Sequence, residues 1–301
     1  MHPDDRVPDE PFTWPEARAR GLTRKRLATY VREGHVRRVL RNVYVAAGVD
    51  DSLETRVAAA SKVTSAWAVI CDRTAAWLWG VDTFEFRELE ILPPVESFVL
   101  RGHTRTRRLG VAGGVRDLAS RDLVEIGGVT VTSPLRTALD LACTLGRRDA
   151  LAALDGFMRL HGITREQMHR ELRRYRGRRG VVQARELVQY ADPRAESPGE
   201  SWTRMTMIDR DLPVPEPQWW VRVDGVPTYR LDLAYPKHKV AIEFDGREFH
   251  EGDVRRKADR ARRKWLHDHG WIVVVVTQHD FTPARIEEWT YEVRDALRIA
   301  A

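Results

Sequence analysis

The first 35 residues of the chain carry the apolar spacing of two short helices. Residues 15–20 begin with a proline, which is tolerated in the first turn of a helix. Leu27, Tyr30 and Val31 then recur at i, i+3 and i+4, and this spacing places them on one helical face. Thr23 can cap this second helix. The pattern therefore predicts a helix, a tight turn and a second helix.

Two segments of alternating apolar and polar residues follow the second helix. Residues 35–39 and 43–45 alternate as strands do, and Asn42 suits the turn that joins them. Helix, turn and helix followed by a two-stranded hairpin is the order of a winged helix-turn-helix. We therefore predict a winged helix-turn-helix DNA-binding domain over residues 12–50. A small basic domain that contacts another protein is the alternative.

The middle of the chain mixes helical and strand-like patterns without a regular repeat. Ser133 followed by Pro134 gives the cap-then-proline start of a helix. The patterns predict helices over 53–64, 71–80, 135–145 and 148–161 and strands over 89–92 and 129–132. We expect residues 51–190 to form a mixed α/β scaffold domain without a catalytic group. The turn-forming residues 191–199 then mark a linker.

Two apolar runs near residue 240 carry carboxylates at their ends. Asp232 lies in the first run, residues 235–238 turn the chain, and the second run ends in Glu243 and Asp245. Side chains of a strand alternate between faces, so Glu243 and Asp245 project together. If the two runs pair as a hairpin, Asp232 comes to lie beside them. The alternative is that Asp232 caps a turn and the other two carboxylates are solvated.

Three carboxylates in one place repel each other unless a cation lies between them. Oxygen ligands suit Mg²⁺ or Mn²⁺, and a metal ion of this kind can activate water against a phosphodiester. The spacing of Asp232, Glu243 and Asp245 therefore indicates a candidate metal site in a domain that we place at residues 197–301.

Composition limits the class of protein. Of 301 residues, 43% are hydrophobic and 31% charged, as in globular proteins, and no apolar stretch approaches the roughly 20 residues that span a bilayer. The first residues lack the basic and apolar regions of a signal peptide. Cys71 and Cys143 lie far apart, without metal-binding spacing. We expect a cytoplasmic protein with no membrane partner.

Positive charge is concentrated near the start of the chain. Residues 12–41 contain nine Lys/Arg and two Glu, a balance of +7 within a net charge of +6, so the remainder is close to neutral. A localised basic segment favours an anionic partner, and double-stranded DNA is the partner we expect. The candidate contacts are Arg24, Lys25 and Arg26 at the start of the second helix and Arg37, Arg38 and Arg41 on the hairpin.

The first two parts of the chain resemble AbiEi-like type IV antitoxins. The resemblance lies in Gly21-Leu-Thr-Arg-Lys-Arg-Leu27, in Gly34-His-Val-x-Arg38 with Val43-Tyr-Val45, in Arg73-Thr-Ala-Ala-Trp77 and in Thr132-Ser-Pro-Leu-Arg-Thr-Ala-Leu-Asp140. It implies an N-terminal domain that binds DNA and represses its own operon, with a cognate toxin or defence-system component as partner.

The last part resembles the very-short-patch-repair branch of the PD-(D/E)XK nuclease superfamily. The matching elements are Ser197-Pro-Gly-Glu-Ser201, Pro215-Glu-Pro-Gln218, Arg230-x-Asp232, Ile242-Glu-Phe-Asp-Gly followed by His250, and Asp259-x-x-Arg262-x-x-x-Leu266-x-x-x-Gly270-Trp271. The resemblance implies a mixed sheet flanked by helices, with Asp232 as the metal-binding Asp of the superfamily. Glu200 would be an outer or second-metal ligand.

This resemblance departs from the superfamily at one catalytic position. The usual Glu-x-Lys is Glu243-x-Asp245 here, and the histidines of very-short-patch-repair enzymes fall at Asp245 and His250. His250 is therefore the acid/base candidate. Arg255 and Arg262, on a predicted basic helix, are candidate phosphate contacts.

Two functions follow from these patterns. The leading hypothesis is a DNA-binding protein with a metal-dependent endonuclease domain, acting in phage defence or DNA repair. The alternative is an antitoxin or transcriptional repressor whose nuclease-like domain is catalytically inactive. Retention of all three carboxylates favours the first, and loss of the lysine favours the second. Metal–carboxylate chemistry also leaves RNA open as a substrate.

Overall fold

The computed structural model describes residues 6–64, 67–83, 94–102, 111–246 and 253–299, without the side chains of residues 111, 253–259 and 299. The chain is mixed α and β and forms two compact units, residues 1–141 and 142–301. Within the described ranges, no helix has the length and apolar content that a membrane span requires.

Unit 1 begins with a short strand that was not predicted, followed by the two helices and the hairpin that were. They are β1 (Phe12–Thr13), α1 (Trp14–Ala19), α2 (Arg24–Arg32), β2 (Val36–Leu40) and β3 (Val43–Ala46). The three strands form an antiparallel sheet in the order β1-β3-β2.

Local signals set the boundaries of these first elements. The Thr23 hydroxyl accepts a hydrogen bond from the Arg26 N–H and caps α2. Asn42 adopts a left-handed conformation, φ 66°, at the turn between β2 and β3. Leu27 and Tyr30 lie buried on one face of α2 together with Phe12 and Val36. The predicted helical face is therefore the one that packs on the sheet.

The rest of unit 1 is built on a five-stranded sheet. Its elements are α3 (Leu53–Ser61), β4 (Ala68–Ile70), α4 (Asp72–Leu78), β5 (Val95–Val99), β6 (Val111–Ala112), β7 (Leu123–Ile126), β8 (Val129–Thr132) and α5 (Pro134–Thr144). The strand order is β6-β5-β4-β8-β7. Arg136 is buried and pairs with Asp122 and Asp140, each at 2.8 Å, so its charge is neutralised inside the unit. The predicted strand over 89–92 lies outside the described residues.

Unit 2 begins with a series of helices. They are α6 (Arg147–His161), α7 (Arg165–Glu171), α8 (Val181–Tyr190) and α9 (Pro198–Asp209). Asp155 of α6 is buried and accepts hydrogen bonds from the Arg204 guanidinium and the Ser201 hydroxyl of α9, the latter at 2.6 Å. The Asp192 N–H donates to the same carboxylate at 2.7 Å. A buried charge needs such partners, and here they join α6 to α9.

A four-stranded mixed sheet and two helices complete unit 2. The elements are β9 (Glu216–Val223), β10 (Val226–Tyr235), β11 (Val240–Asp245), α10 (Asp253–Asp268), β12 (Ile272–Thr277) and α11 (Pro283–Ile299). The order is β12-β11-β10-β9, with β11 and β12 parallel and the other neighbours antiparallel. Buried Leu233, Ile242, Val274 and Trp289 form a core with the end of α9, represented by Met207.

Candidate functional site

A cavity of about 1040 Å³ lies between α2 and the β2–β3 hairpin of unit 1. It is also lined by the start of α1 and by the residues that follow α3. Five of its lining side chains are cationic, and they are Arg24, Arg32, Arg38, Arg41 and Lys62. Glu16 is the carboxylate in the same lining. We call this surface the cationic groove, because its lining holds five cations and one carboxylate.

Glu16 is committed to local partners. Its carboxylate accepts hydrogen bonds from the Thr13 N–H at 2.7 Å and from the Lys62 ammonium at 2.7 Å. Burial raises the pKa of Glu16, but the Lys62 and Thr13 donors outweigh it and hold the pKa below the ordinary value. Glu16 therefore stays ionised and offsets one of the five positive charges, and an excess of cations remains in the groove.

Aromatic rings support two of the groove arginines. The Arg24 guanidinium lies 5.0 Å from the centre of the Trp14 ring, and that of Arg38 lies 5.6 Å from the centre of Tyr44. Tyr44 stacks in turn on buried Phe12, at 5.8 Å between ring centres. Cation–π contacts restrict these long side chains while leaving their N–H groups available. Both arginines are thus pre-positioned for an anion.

Of the six cations predicted from the sequence as DNA contacts, the structure places three in the lining of the groove and three outside it. Arg24, Arg38 and Arg41 line the groove, and exposed Lys25 lies outside its lining. The Arg26 Nε donates to the Tyr30 hydroxyl at 2.7 Å. The Arg37 guanidinium donates to the Val49 carbonyl at 2.7 Å.

Two groove cations were not predicted. Arg32 lies eight residues after Arg24, which is two turns of helix and the same face, so helical periodicity could have found it. Lys62 follows α3 and joins the groove only through tertiary packing, for which the sequence has no local signal.

Carboxylates gather at the sheet of unit 2. Leu233 of β10 lies opposite Ile242 of β11, and this register brings Asp232 across from Glu243. The Asp232 Oδ2 accepts a hydrogen bond from the Phe244 N–H at 3.0 Å. The two runs pair as a hairpin, which was the condition for bringing Asp232 close to the end of β11.

The environment of Asp232 disfavours its charged form. Burial raises its pKa to about 6, and the negative charges of Glu200 and Glu243 act in the same direction. The Phe244 N–H and the Arg262 guanidinium oppose this shift. Perturbed carboxyl groups of this kind are common at functional sites, although ion networks produce them as well.

Glu200, in the first turn of α9, is a buried member of the same group. It accepts hydrogen bonds from the Ser197 hydroxyl at 2.9 Å, from the Glu196 N–H at 3.0 Å and from the Gln218 amide at 2.8 Å. These three donors fix the carboxylate. Its charge reaches Asp232, whose pKa it raises.

Gln218 has an unusual conformation at this point. Its φ of 54° is left-handed, and it lies in the β9–β10 ladder between the pairs Trp219–Leu231 and Pro217–Leu233, across from Asp232. Its amide nitrogen is bonded to Glu200, while its amide oxygen is buried without a hydrogen-bond partner. Gln218 was not predicted as a site residue. Its left-handed backbone is not a conformation that the sequence indicates for glutamine.

Glu243 is paired with an arginine. It is 8% exposed, and its Oε2 accepts a hydrogen bond from Arg262 Nη1 at 2.8 Å, while Arg262 Nη2 bonds Oε1. Both oxygens that a metal ion would use are therefore engaged. The oxygen atoms of Asp232, Glu200 and Gln218 have the chemistry that Mg²⁺ accepts, but Glu243 in this pairing does not fit a metal ligand.

The remaining predicted residues are only partly described. Asp245 is half-buried at the end of β11, in register with Thr277. His250 and the side chain of Arg255 lie outside the described residues. Among the side chains that the structure does describe, no group of three or more His, Cys, Asp or Glu is arranged to hold a metal ion.

Comparison with known proteins identifies one family segment and two full-length relatives. Residues 68–190 match the family model of the AbiEi antitoxin C-terminal domain. The chain is 35% identical over 281 residues to the uncharacterized protein MT2308 of Mycobacterium tuberculosis strain CDC 1551 / Oshkosh. It has the same identity to the uncharacterized protein Rv2248 of strain ATCC 25618 / H37Rv.

Each alignment covers 93% of this chain and 100% of the relative. The family segment begins at β4 and ends with α8. It agrees with the resemblance seen in the middle part of the sequence. The chain thus belongs to the family of these two mycobacterial proteins, and it includes a segment similar to the C-terminal domain of AbiEi antitoxins.

Proposed function

We propose that this protein is a DNA-binding regulator of the AbiEi antitoxin type, and that it holds duplex DNA in the cationic groove of unit 1. The observation that carries the proposal is the groove lining, in which five cations outnumber one carboxylate that is paired with Lys62. Phosphate contacts by Lys and Arg supply most of the non-specific affinity of proteins for DNA.

The arrangement of α2 and the hairpin suits this role. Helix-turn-helix proteins place the first residues of the second helix against base edges, and here exposed Lys25 and Arg26 lie at that end of α2. The groove cations then contact phosphates and fix the orientation of the duplex. Winged helix-turn-helix function is supported by the observed order of two helices followed by a strand hairpin on one sheet.

The match to the AbiEi antitoxin C-terminal domain supports the regulatory part of the proposal. An antitoxin of this type represses its own operon through its N-terminal domain. A cognate toxin is the protein partner that we propose, and the segment over residues 68–190 is where we expect the antitoxin function to reside.

The proposal is tested by fluorescence anisotropy with the full-length protein. We expect a duplex from upstream of its own gene to bind more tightly than an unrelated duplex of equal length. Arg24→Ala should weaken both complexes, whereas Lys237→Ala, which removes an exposed cation from unit 2, should leave them unchanged. Equal affinity for the two duplexes would exclude a sequence-specific repressor. Tighter binding of RNA of the same sequence would show that RNA, and not duplex DNA, is the ligand.

A second candidate function is metal-dependent phosphodiester hydrolysis by unit 2. It is favoured by the gathering of Glu200, Asp232 and Glu243, where burial first and the two glutamate charges second raise the pKa of Asp232 to about 6. Asp245 and His250 stay in this proposal as further site residues, with Mg²⁺ or Mn²⁺ as the cofactor. Because the pairing of Glu243 with Arg262 does not fit a metal ligand, we assign no reaction step to a metal.

Incubation of plasmid and mismatched duplex with each metal, beside Asp232→Asn, tests this second candidate. Cleavage by the original protein that Asp232→Asn abolishes would support it. Cleavage that persists in the variant would contradict this candidate function. Absence of cleavage by both proteins would contradict it as well.

A further inference from the structure

Arg262 occupies the position among the carboxylates where a cation would lie. Its guanidinium forms a two-point pair with Glu243, with Nη1 donating to Oε2 at 2.8 Å and Nη2 donating to Oε1. Glu243 is buried, so this charge must be compensated from within the protein. Two-point arginine–carboxylate pairs are the strongest of the side-chain ion pairs.

A second contact fixes the guanidinium to the neighbouring strand. Arg262 Nη2 also donates to the Arg230 carbonyl of β10 at 2.7 Å. The Arg230 side chain forms its own two-point pair with Glu196, at 2.8 and 2.6 Å. The Glu196 N–H donates to Glu200 at 3.0 Å. Arg262 is thus bonded directly to Glu243 and, through residues Arg230 and Glu196, is linked to Glu200.

The positive charge of Arg262 also acts on Asp232. It lowers the pKa of Asp232, against the effects of burial and of the two glutamates. A divalent cation bound to Glu243 would lie close to the guanidinium and would be repelled by it. The pairing with Arg262 therefore disfavours a divalent cation at Glu243.

We propose that Arg262 is the built-in counter-cation of this carboxylate group and excludes divalent cations from Glu243 until an anion draws its guanidinium away. The anion that suits it is a phosphodiester, because arginine makes the same two-point contact with phosphate as with carboxylate. Cation binding and nucleic acid binding by unit 2 are therefore coupled through one side chain. This inference does not depend on DNA binding in the groove of unit 1.

The first test measures Mn²⁺ binding to the full-length protein by titration calorimetry. We expect the Arg262→Gln variant to bind Mn²⁺ at least about tenfold more tightly than the original protein, because a like charge near the cation is removed. The matched control is Lys264→Gln, which removes a charge from an exposed residue of α10 that pairs with Asp268. The control should bind Mn²⁺ as the original protein does.

Two further variants keep the test decisive. If Arg262→Gln does not fold, as judged by circular dichroism, Arg262→Lys retains the charge but loses the two-point pair, and its Mn²⁺ affinity should still rise severalfold. Adding Glu243→Gln to either variant should abolish the gain. Unchanged Mn²⁺ affinity in the folded variants, or a gain that survives Glu243→Gln, would overturn the proposal.

The coupling is measured by anisotropy with a labelled duplex at constant ionic strength. Mn²⁺ should tighten DNA binding by the original protein and by Lys264→Gln more than by Arg262→Gln, in which the cation site is already open. An equal response of all three proteins would contradict the coupling.

Discussion

Gly199 of α9 lies against the ring of Phe244 at the end of β11, so closely that a Cβ on residue 199 would fall 2.0 Å from Phe244 Cε1. The contact sets the distance between the helix and the strand. Glu200 follows Gly199 directly, and Glu243 precedes Phe244, so the same contact brings their backbones together. Absence of a side chain at residue 199 is therefore a structural condition for the carboxylate group.

Gly199→Ala is expected to destabilise unit 2. The added methyl group cannot be accommodated without moving α9 or the Phe244 ring, and such overpacking costs about 1–3 kcal/mol. Urea unfolding measures the loss. Phe244→Leu should relieve part of it in the double variant, because the atoms that collide are removed. Strictly additive effects of the two substitutions would show that the contact is not the cause.

Substitution of Asp232 should alter how stability depends on pH. The pKa of this carboxyl is about 6 in the folded protein against an ordinary value of 3.8. In that pH window the folded state binds a proton that the unfolded state releases, so the free energy of unfolding falls as pH rises. Asp232→Asn removes this pH-dependent loss of stability and keeps an oxygen acceptor for the Phe244 N–H.

At about pH 7.5 we expect Asp232→Asn to be more stable than the original protein by on the order of 2 kcal/mol, and at about pH 4 by much less. Urea unfolding at both pH values gives the comparison. A difference that does not change with pH would contradict the raised pKa of Asp232.

The groove arginines should differ from their neighbours in the salt dependence of DNA binding. Arg24→Ala and Arg41→Ala should each lower the slope of log affinity against log salt by about 0.9, the contribution of one phosphate contact. Arg37→Ala should leave the slope nearly unchanged, because its guanidinium is bonded to the Val49 carbonyl. Anisotropy at several salt concentrations gives the slopes. Equal changes in the slope for all three variants would show that the DNA does not bind in the cationic groove.

Loss of Arg204 should destabilise unit 2 strongly. The Arg204→Met variant leaves the buried Asp155 carboxylate without its counter-charge, and breaking a buried ion pair in this way costs about 3–5 kcal/mol. Removing both charges with Asp155→Leu and Arg204→Met should cost less than the single change. Thermal unfolding of the three proteins checks the order, and a double variant less stable than Arg204→Met would contradict it.

The sequence was informative where the signals are local. The cap at Thr23, the periodicity of α2, the turn at Asn42 and the start of α5 at Pro134 all involve residues within a few positions of one another. Their elements appear close to the predicted bounds.

Contacts between distant segments were not predictable in the same way. Arg262 pairs with Glu243, 19 residues before it, because α10 packs on the sheet, and the sequence has no local signal for this pair. Lys62 reaches the groove through the packing of a later segment, and the left-handed Gln218 depends on the irregular ladder between β9 and β10. Apolar periodicity identifies which faces pack, but not which polar side chains meet.

The ion pair between Asp155 and Arg204 has a consequence for how this protein can be divided. The antitoxin-like segment ends at residue 190, yet the Tyr190 carbonyl is itself an acceptor of the Arg204 guanidinium. A chain shortened to that end would leave the buried Asp155 charge of α6 without its arginine and would uncover the side of α6 that packs on α9. Residues 68–190 therefore do not contain all the partners of their own buried charge, and an excised segment would need to extend through α9 to keep them.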